Sequence, residues 1–118
     1  MINANLGQFL EYGWYTEATL YLSGYTYWCE GCYSYEREKE KRFHFFVYKY
    51  RSIIVKGNDG ETYTKRMIEN NDVVDYSTVL DIFCENEEIG KQKFLESKIF
   101  DGKTFWEVEN EIAWYDEI

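Results

Sequence analysis

The sequence contains no proline, a single histidine and three cysteines in 118 residues. Absent proline beside an aromatic content of 20% argues against a disordered linker or low-complexity segment, because rings serve packed cores and interfaces. Three cysteines cannot all pair, which excludes a complete disulfide framework of the secreted type and agrees with a reducing compartment. No stretch approaches the roughly 20 apolar residues of a membrane helix. The start, Met1-Ile2-Asn3-Ala4-Asn5, lacks the basic residues and apolar run of a signal peptide. The expectation is one soluble cytoplasmic domain spanning residues 1–118.

Catalytic signatures are equally scarce. There is no Gly-x-Ser-x-Gly, no glycine-rich phosphate loop and no paired His-x-x-x-His. Carboxylates abound, so two of them meeting in a cleft is expected by chance and carries little weight for glycosidase-type chemistry. These absences point to a non-enzymatic protein.

What is present is apolar, aromatic and acidic. The 45% apolar content is enough to close one core, and twelve tyrosines suit half-buried strands and contact surfaces alike. The net charge of −9 is unevenly placed: residues 1–35 carry −3, residues 36–66 carry +4 and residues 67–118 carry −10. Such a balance disfavours phosphate backbones and anionic lipid, and favours basic partners.

Leu6, Phe9 and Leu10, behind Asn3 or Asn5 as caps and before Gly13, predict a short N-terminal helix. Trp14 to Leu22 alternates as a half-buried strand, and Ser23-Gly24 turns it into a second strand from Tyr25 to Cys29. The run from Glu36 to Arg42 has mixed charges and reads as a solvated turn or the tip of a long hairpin. Phe43 to Tyr50 is aromatic on both faces, which predicts a central strand with one face on the core and the other covered or used in contact. Lys56-Gly57-Asn58-Asp59-Gly60 predicts a tight hairpin returning as Glu61 to Ile68.

Val73 to Cys84 fits a strand or a helix from Ser77, with β-branched residues favouring strand. Glu85 to Gly90 then reads as a hairpin tip leading into a strand from Lys91 to Phe100. Thr104-Phe105-Trp106-Glu107 has capping-box spacing, and Phe105, Val108, Ile112 and Tyr115 share one helical face beyond it. The predicted class is α+β: an antiparallel sheet of about five to six strands with a short N-terminal helix and an amphipathic C-terminal helix.

Two constellations could carry function. Cys29-Glu30-Gly31-Cys32 can grip a tetrahedral ion from a turn, and His44 and Cys84 would complete a Cys3His zinc site; the other reading of these cysteines is small hydrophobes. A redox role fits less well, since Tyr33-Ser34-Tyr35 does not look like a helix start. The second constellation is the acidic C-terminal surface, Glu107, Glu109, Glu111, Asp116 and Glu117, with Trp106 and Trp114 as ring anchors. Its rival reading is a solvated face that serves solubility alone.

Val74-Asp75-Tyr76-Ser77-Thr78-Val79 is similar to a segment of the small acidic anti-CRISPR proteins that inhibit Cas9. The stretch covers six residues, and no functional residue carries over from it, because its surroundings depart from that pattern. The resemblance implies a phage-type, anti-defence inhibitor of a host nuclease working in the cytoplasm. The expected mode is a nucleic-acid mimic: carboxylates occupy a basic groove where phosphates would lie. An immunity protein against a toxin nuclease uses the same physics, and a zinc-stabilised structural module or a small ligand-binding domain are the readings from other classes.

Overall fold

The computed structural model describes residues 1–35 and 41–118. Of the tip expected from Glu36 to Arg42, residues 36–40 lie outside the described residues, and Lys41 and Arg42 already belong to a strand.

The chain opens with helix α1 (Leu6–Glu11), whose first turn is capped by the Asn5 side chain accepting from the Gln8 amide at 3.0 Å. A 3-10 turn (Gly13–Tyr15) leads into β1 (Thr16–Leu22). Ser23 and Gly24, with φ of 50° and 87°, make the tight turn into β2 (Tyr25–Tyr35). Strand β3 (Lys41–Lys56) is sixteen residues long, and the Asp59-Gly60 turn returns it as β4 (Thr62–Arg66). A two-residue ribbon, β5 (Ile68–Glu69) and β6 (Asp72–Val73), precedes β7 (Ser77–Cys84). Helix α2 (Glu87–Glu96), the single turn α3 (Phe105–Val108) and β8 (Ala113–Trp114) complete the described elements.

The antiparallel sheet runs β4-β3-β2-β1-β8. Because β3 is so long, its far edge serves two strands, pairing β7 along residues 43–49 and β4 along 52–56. Beyond β8 the chain crosses back to β4: the Thr64 amide donates to the Asp116 carbonyl at 3.0 Å, and the Ile118 amide to the Thr64 carbonyl at 2.8 Å. Residues 113–118 therefore join the first and fourth strands and curl one end of the sheet into a ring. No described helix is long and apolar enough to cross a membrane.

One sheet face makes the core. Ala18, Leu20, Cys29, Phe43, Phe45 and Val47 point into it and meet Phe9, Trp14, Phe94, Phe105 and Ile112 from the helices and connections. Each of the Leu, Val, Ile and Phe side chains among them contributes about 1.5–3 kcal/mol when fully buried. The rings interlock: Trp14 stacks on Phe94 at 6.2 Å and Phe9 on Phe105 at 5.5 Å. Gly31 lets β2 approach this layer, since a Cβ there would lie 2.4 Å from the Phe43 ring.

The α+β class, the antiparallel sheet and the terminal helices are those the sequence predicts. Two segments differ. The expected strand from Lys91 is helix α2, capped by the Asn86 carboxamide accepting from the Ile89 amide at 3.0 Å, with Glu87 and Glu88 in the first turn where the helix dipole favours acids. Gly90, which reads as a hairpin residue, is instead the contact point of that helix with the sheet; a Cβ would come 2.9 Å from Phe43. The C-terminal helix has its full capping box at Thr104 and Glu107 but ends at Val108, because Ala113 and Trp114 pair with Tyr21 and Leu20 at the edge of β1.

Candidate interaction surface

The second face of the sheet has a closed and an open end. At the closed end Thr19, Thr26, Ser52 and Thr64 are buried, and Thr26 Oγ1 donates to Ser52 Oγ at 2.7 Å. The hydroxyl of Thr19 donates to the Tyr115 carbonyl, which holds the C-terminal segment against β1.

The open end is aromatic. Period-two alternation puts His44, Phe46 and Tyr48 of β3 on this face, with ring centroids 5.2 and 4.9 Å apart. His44 lies flat on Phe83 of β7, 4.1 Å away with planes 7° apart, and its Nε2 is 2.5 Å from Asp81. Tyr76 flanks Tyr48 at 5.4 Å, and Trp28 is the cross-strand neighbour of Tyr48. Phe83 and Tyr76 are each 51% exposed. The three helices pack their buried residues, Phe9, Phe94 and Phe105, into the core on the other face.

Arg66 stands between the two ends. Its guanidinium lies 4.7 Å from the Tyr50 ring centre and 5.8 Å from that of Trp28, and its Nε is 2.6 Å from Glu117. The Tyr50 hydroxyl donates to the same carboxylate; burial and that neighbour push its pKa well up, so it remains a donor. A cleft of about 270 Å³ lies on one side of Arg66, lined by Trp28, Glu30, Tyr48, Tyr50 and Tyr76. On the other side a cleft of about 440 Å³ is lined by Glu17, Thr19, Trp28, Asp116 and Glu117.

Two carboxylates crowd this region. Partial burial, reinforced by the adjacent Glu17 carboxylate, raises the pKa of Glu30. Glu17 reaches that position from a bulge in β1, where its φ is 58° and the pairing with β2 shifts register.

The predicted C-terminal residues do not form one helical face. Glu107 caps its own helix, accepting from the Thr104 amide at 3.0 Å, and those bonds lower its pKa. Glu109 pairs with the amino group of Met1. Glu111 lines a separate cleft beside Lys103, while Asp116 and Glu117 line the larger cleft at Arg66. Trp106 is 53% exposed next to α2, and Trp114 is half-buried, edge-on to Phe9 at 5.4 Å.

The four candidate zinc ligands do not converge either. Cys29 and Cys32 lie three positions apart in one strand, so they point to opposite faces. Cys29 and Cys84 are buried on the core side, whereas Cys32 and its cross-strand neighbour His44 belong to the second face. Among the described residues no group of three or more His, Cys, Asp or Glu is placed to hold a metal ion.

Trp28, Glu30, Asp81, Arg66 and Phe83 were not among the residues singled out by sequence. The available signal was the two-faced aromatic pattern of Phe43 to Tyr50, which marks a second surface without naming its neighbours. Comparison of the chain with protein-family models, curated proteins and solved structures gave no match.

Proposed function

We propose that this chain is a non-enzymatic acidic binding protein that occupies the basic surface of a nucleic-acid-processing partner, as an anti-CRISPR or other anti-defence inhibitor does, and that the contact surface is the open second face of the sheet. The observation that carries the reading is the row from Trp28 through Tyr48 and His44 to Phe83, left uncovered by the described residues and bordered by Glu17, Glu30, Asp81 and Asp116. Exposed rings of this density anchor interfaces, and guanidinium groups stack on them. Among the described residues the cation at the centre, Arg66, is engaged by Glu117, and Asp81 by His44, so Glu17, Glu30 and Asp116 keep their field for a partner. Asp116 keeps the role first assigned to it, while Glu107, Glu109, Glu117 and Trp114 have structural duties.

The test uses the wild-type chain and a Tyr76→Ser/Phe83→Ser variant, which removes two half-exposed rings without touching the core. Both are used to retain proteins from the native host and to inhibit the retained nuclease in a cleavage assay at low and raised salt. Inhibition by the wild type that falls steeply with salt and is lost in the variant supports the reading. Equal inhibition by both proteins, or no nuclease retained by either, overturns it.

A further inference from the structure

On the core side of the sheet, where the β1–β2 turn meets the Phe100–Lys103 turn, lies a recessed cleft of about 250 Å³. Tyr27, a residue only 1% exposed, is part of its lining. Phe100 packs against that ring at 4.7 Å and fixes it. Lys49, the cross-strand partner of Tyr27, holds its ammonium 4.4 Å from the centre of the Tyr25 ring and 5.5 Å from that of Tyr27. Lys103 enters from the facing turn.

Of the four charged groups that line the cleft, Lys49 and Lys103 are cations and Asp101 and Glu111 anions. Among the described residues neither Lys49 nor Lys103 is ion-paired, although acids outnumber bases 22 to 13 in the chain. Aromatic faces steady an ammonium but leave its charge uncancelled. Tyr27 lines the cleft, and its hydroxyl makes no hydrogen bond to any described residue, which leaves it free to donate into the cleft. Burial, then Asp101 and Tyr25, pushes its pKa up to about 12, so it is a donor at neutral pH. Ser23 adds a hydroxyl at the lip. The acceptors nearby, Asp101 and Glu111, are both exposed.

We infer that this cleft binds a small organic oxyanion, a carboxylate or a phosphate ester carried on a compact apolar body. The oxyanion is met by Lys49, Lys103 and the Tyr27 hydroxyl, and the apolar body by Leu22, Tyr25 and Phe100. The volume is below the roughly 300–1,000 Å³ of sites for drug-sized ligands, which restricts the ligand to a single ring or short chain. The two exposed carboxylates in the lining, Asp101 and Glu111, disfavour polyanions. This site is independent of the second face and of the inhibitor reading.

The experiment is a two-dimensional NMR titration of the full chain with benzoate and with phenyl phosphate, using benzyl alcohol as the neutral analogue. The expected result is saturable shifts confined to residues 22–27, Lys49 and residues 100–103 with at least one oxyanion and none with the alcohol. Saturation by benzoate assigns a carboxylate ligand, and preference for phenyl phosphate assigns a phosphate ester. Lys49→Met and Lys103→Met are each expected to weaken binding about tenfold, which is about 1.4 kcal/mol. Tyr27→Phe is expected to weaken it several-fold while thermal stability stays level or rises, because the hydroxyl removed has no protein partner. Lys103 lies on an exposed turn, so its variant keeps the test valid if Lys49→Met folds poorly. Absence of saturable shifts with both oxyanions, equal shifts with benzyl alcohol, or unchanged affinity in Lys103→Met overturns the assignment.

Discussion

Arg66 presents both Nε and a terminal nitrogen to one carboxylate oxygen of Glu117, each at 2.6 Å, and this pair ties the C-terminal segment to β4. The two backbone bonds around Thr64 act at the same junction. The ring of strands at the closed end of the sheet therefore depends on a side-chain pair separated by 51 residues.

Glu117→Gln is expected to loosen that junction. The pair is partly shielded, so the loss is about 1–2 kcal/mol, below the roughly 3–5 kcal/mol of a fully buried pair. Thermal unfolding of the variant should move down by several degrees, and hydrogen exchange at Thr64 and Ile118 should quicken. Unchanged exchange at both amides would show that the backbone bonds alone hold the segment.

Glu17 and Glu30 predict the opposite behaviour. The folded state raises the pKa of Glu30, so its contribution favours folding below the unfolded value, near 4.3, and is lost as pH rises through the folded one. Glu30→Gln should therefore raise the melting temperature at pH 7 and lose that advantage near pH 4. If these acids serve binding, the stabilised variant should also bind its partner more weakly. A variant no more stable than wild type at pH 7 contradicts the like-charge contact.

Glu107 runs the other way. Its bonds to Thr104 lower the folded pKa, so the stabilisation is present above the unfolded value and disappears as pH falls through the folded one. Glu107→Gln should be less stable than wild type at neutral pH, with the two unfolding curves converging in acid.

Gly13 faces the Trp114 ring so closely that a Cβ would lie 2.3 Å from it. Gly13→Ala must displace the indole and is expected to cost about 1–3 kcal/mol, the usual cost of overpacking. Gly60, with a φ of 82° and open space around it, is limited by backbone conformation instead. Gly60→Ala should be destabilising through strain alone, without altering the near-UV signal of the tryptophans.

Thiol accessibility separates the cysteines. Cys32 is exposed, while burial raises the pKa of Cys29 far out of reach and that of Cys84 to a lesser degree. A soluble disulfide reagent should label Cys32 rapidly in the native protein, and the other two only on unfolding. Chelator should leave the melting temperature unchanged, because strand parity keeps the four suggested ligands on two faces. A chelator-induced drop of several degrees would restore the metal reading.

Much of the fold was legible in sequence because its signals are local. The β3–β4 hairpin follows from Asp59-Gly60, the capping box from Thr104 and Glu107, and the two-faced nature of β3 from the rings between Phe43 and Tyr50. Helix α2 is hidden in the sequence for a local reason as well: Glu85 to Gly90 resembles a hairpin tip, and Asn86 acts as a cap only because the chain beyond it coils. Spacing alone extends the short C-terminal helix too far, because Ile112 continues its apolar pattern. What interrupts it, the unpaired edge of β1, lies about ninety residues away by chain order.

Spacing, charge and turn chemistry by themselves determined the α+β class, the acidic character and the positions of most turns, since each acts within a few residues. Tertiary structure alone decided where the charges and rings meet. Pairing across the sheet sets which face a side chain joins, so Cys29 and Cys32 part company while Cys32 and His44 become neighbours. The return of the C-terminal segment brings Glu117 to Arg66, and the facing turns set Lys103 opposite Lys49. Those juxtapositions depend on strand register and chain closure, which join residues distant in sequence and leave no local mark on it.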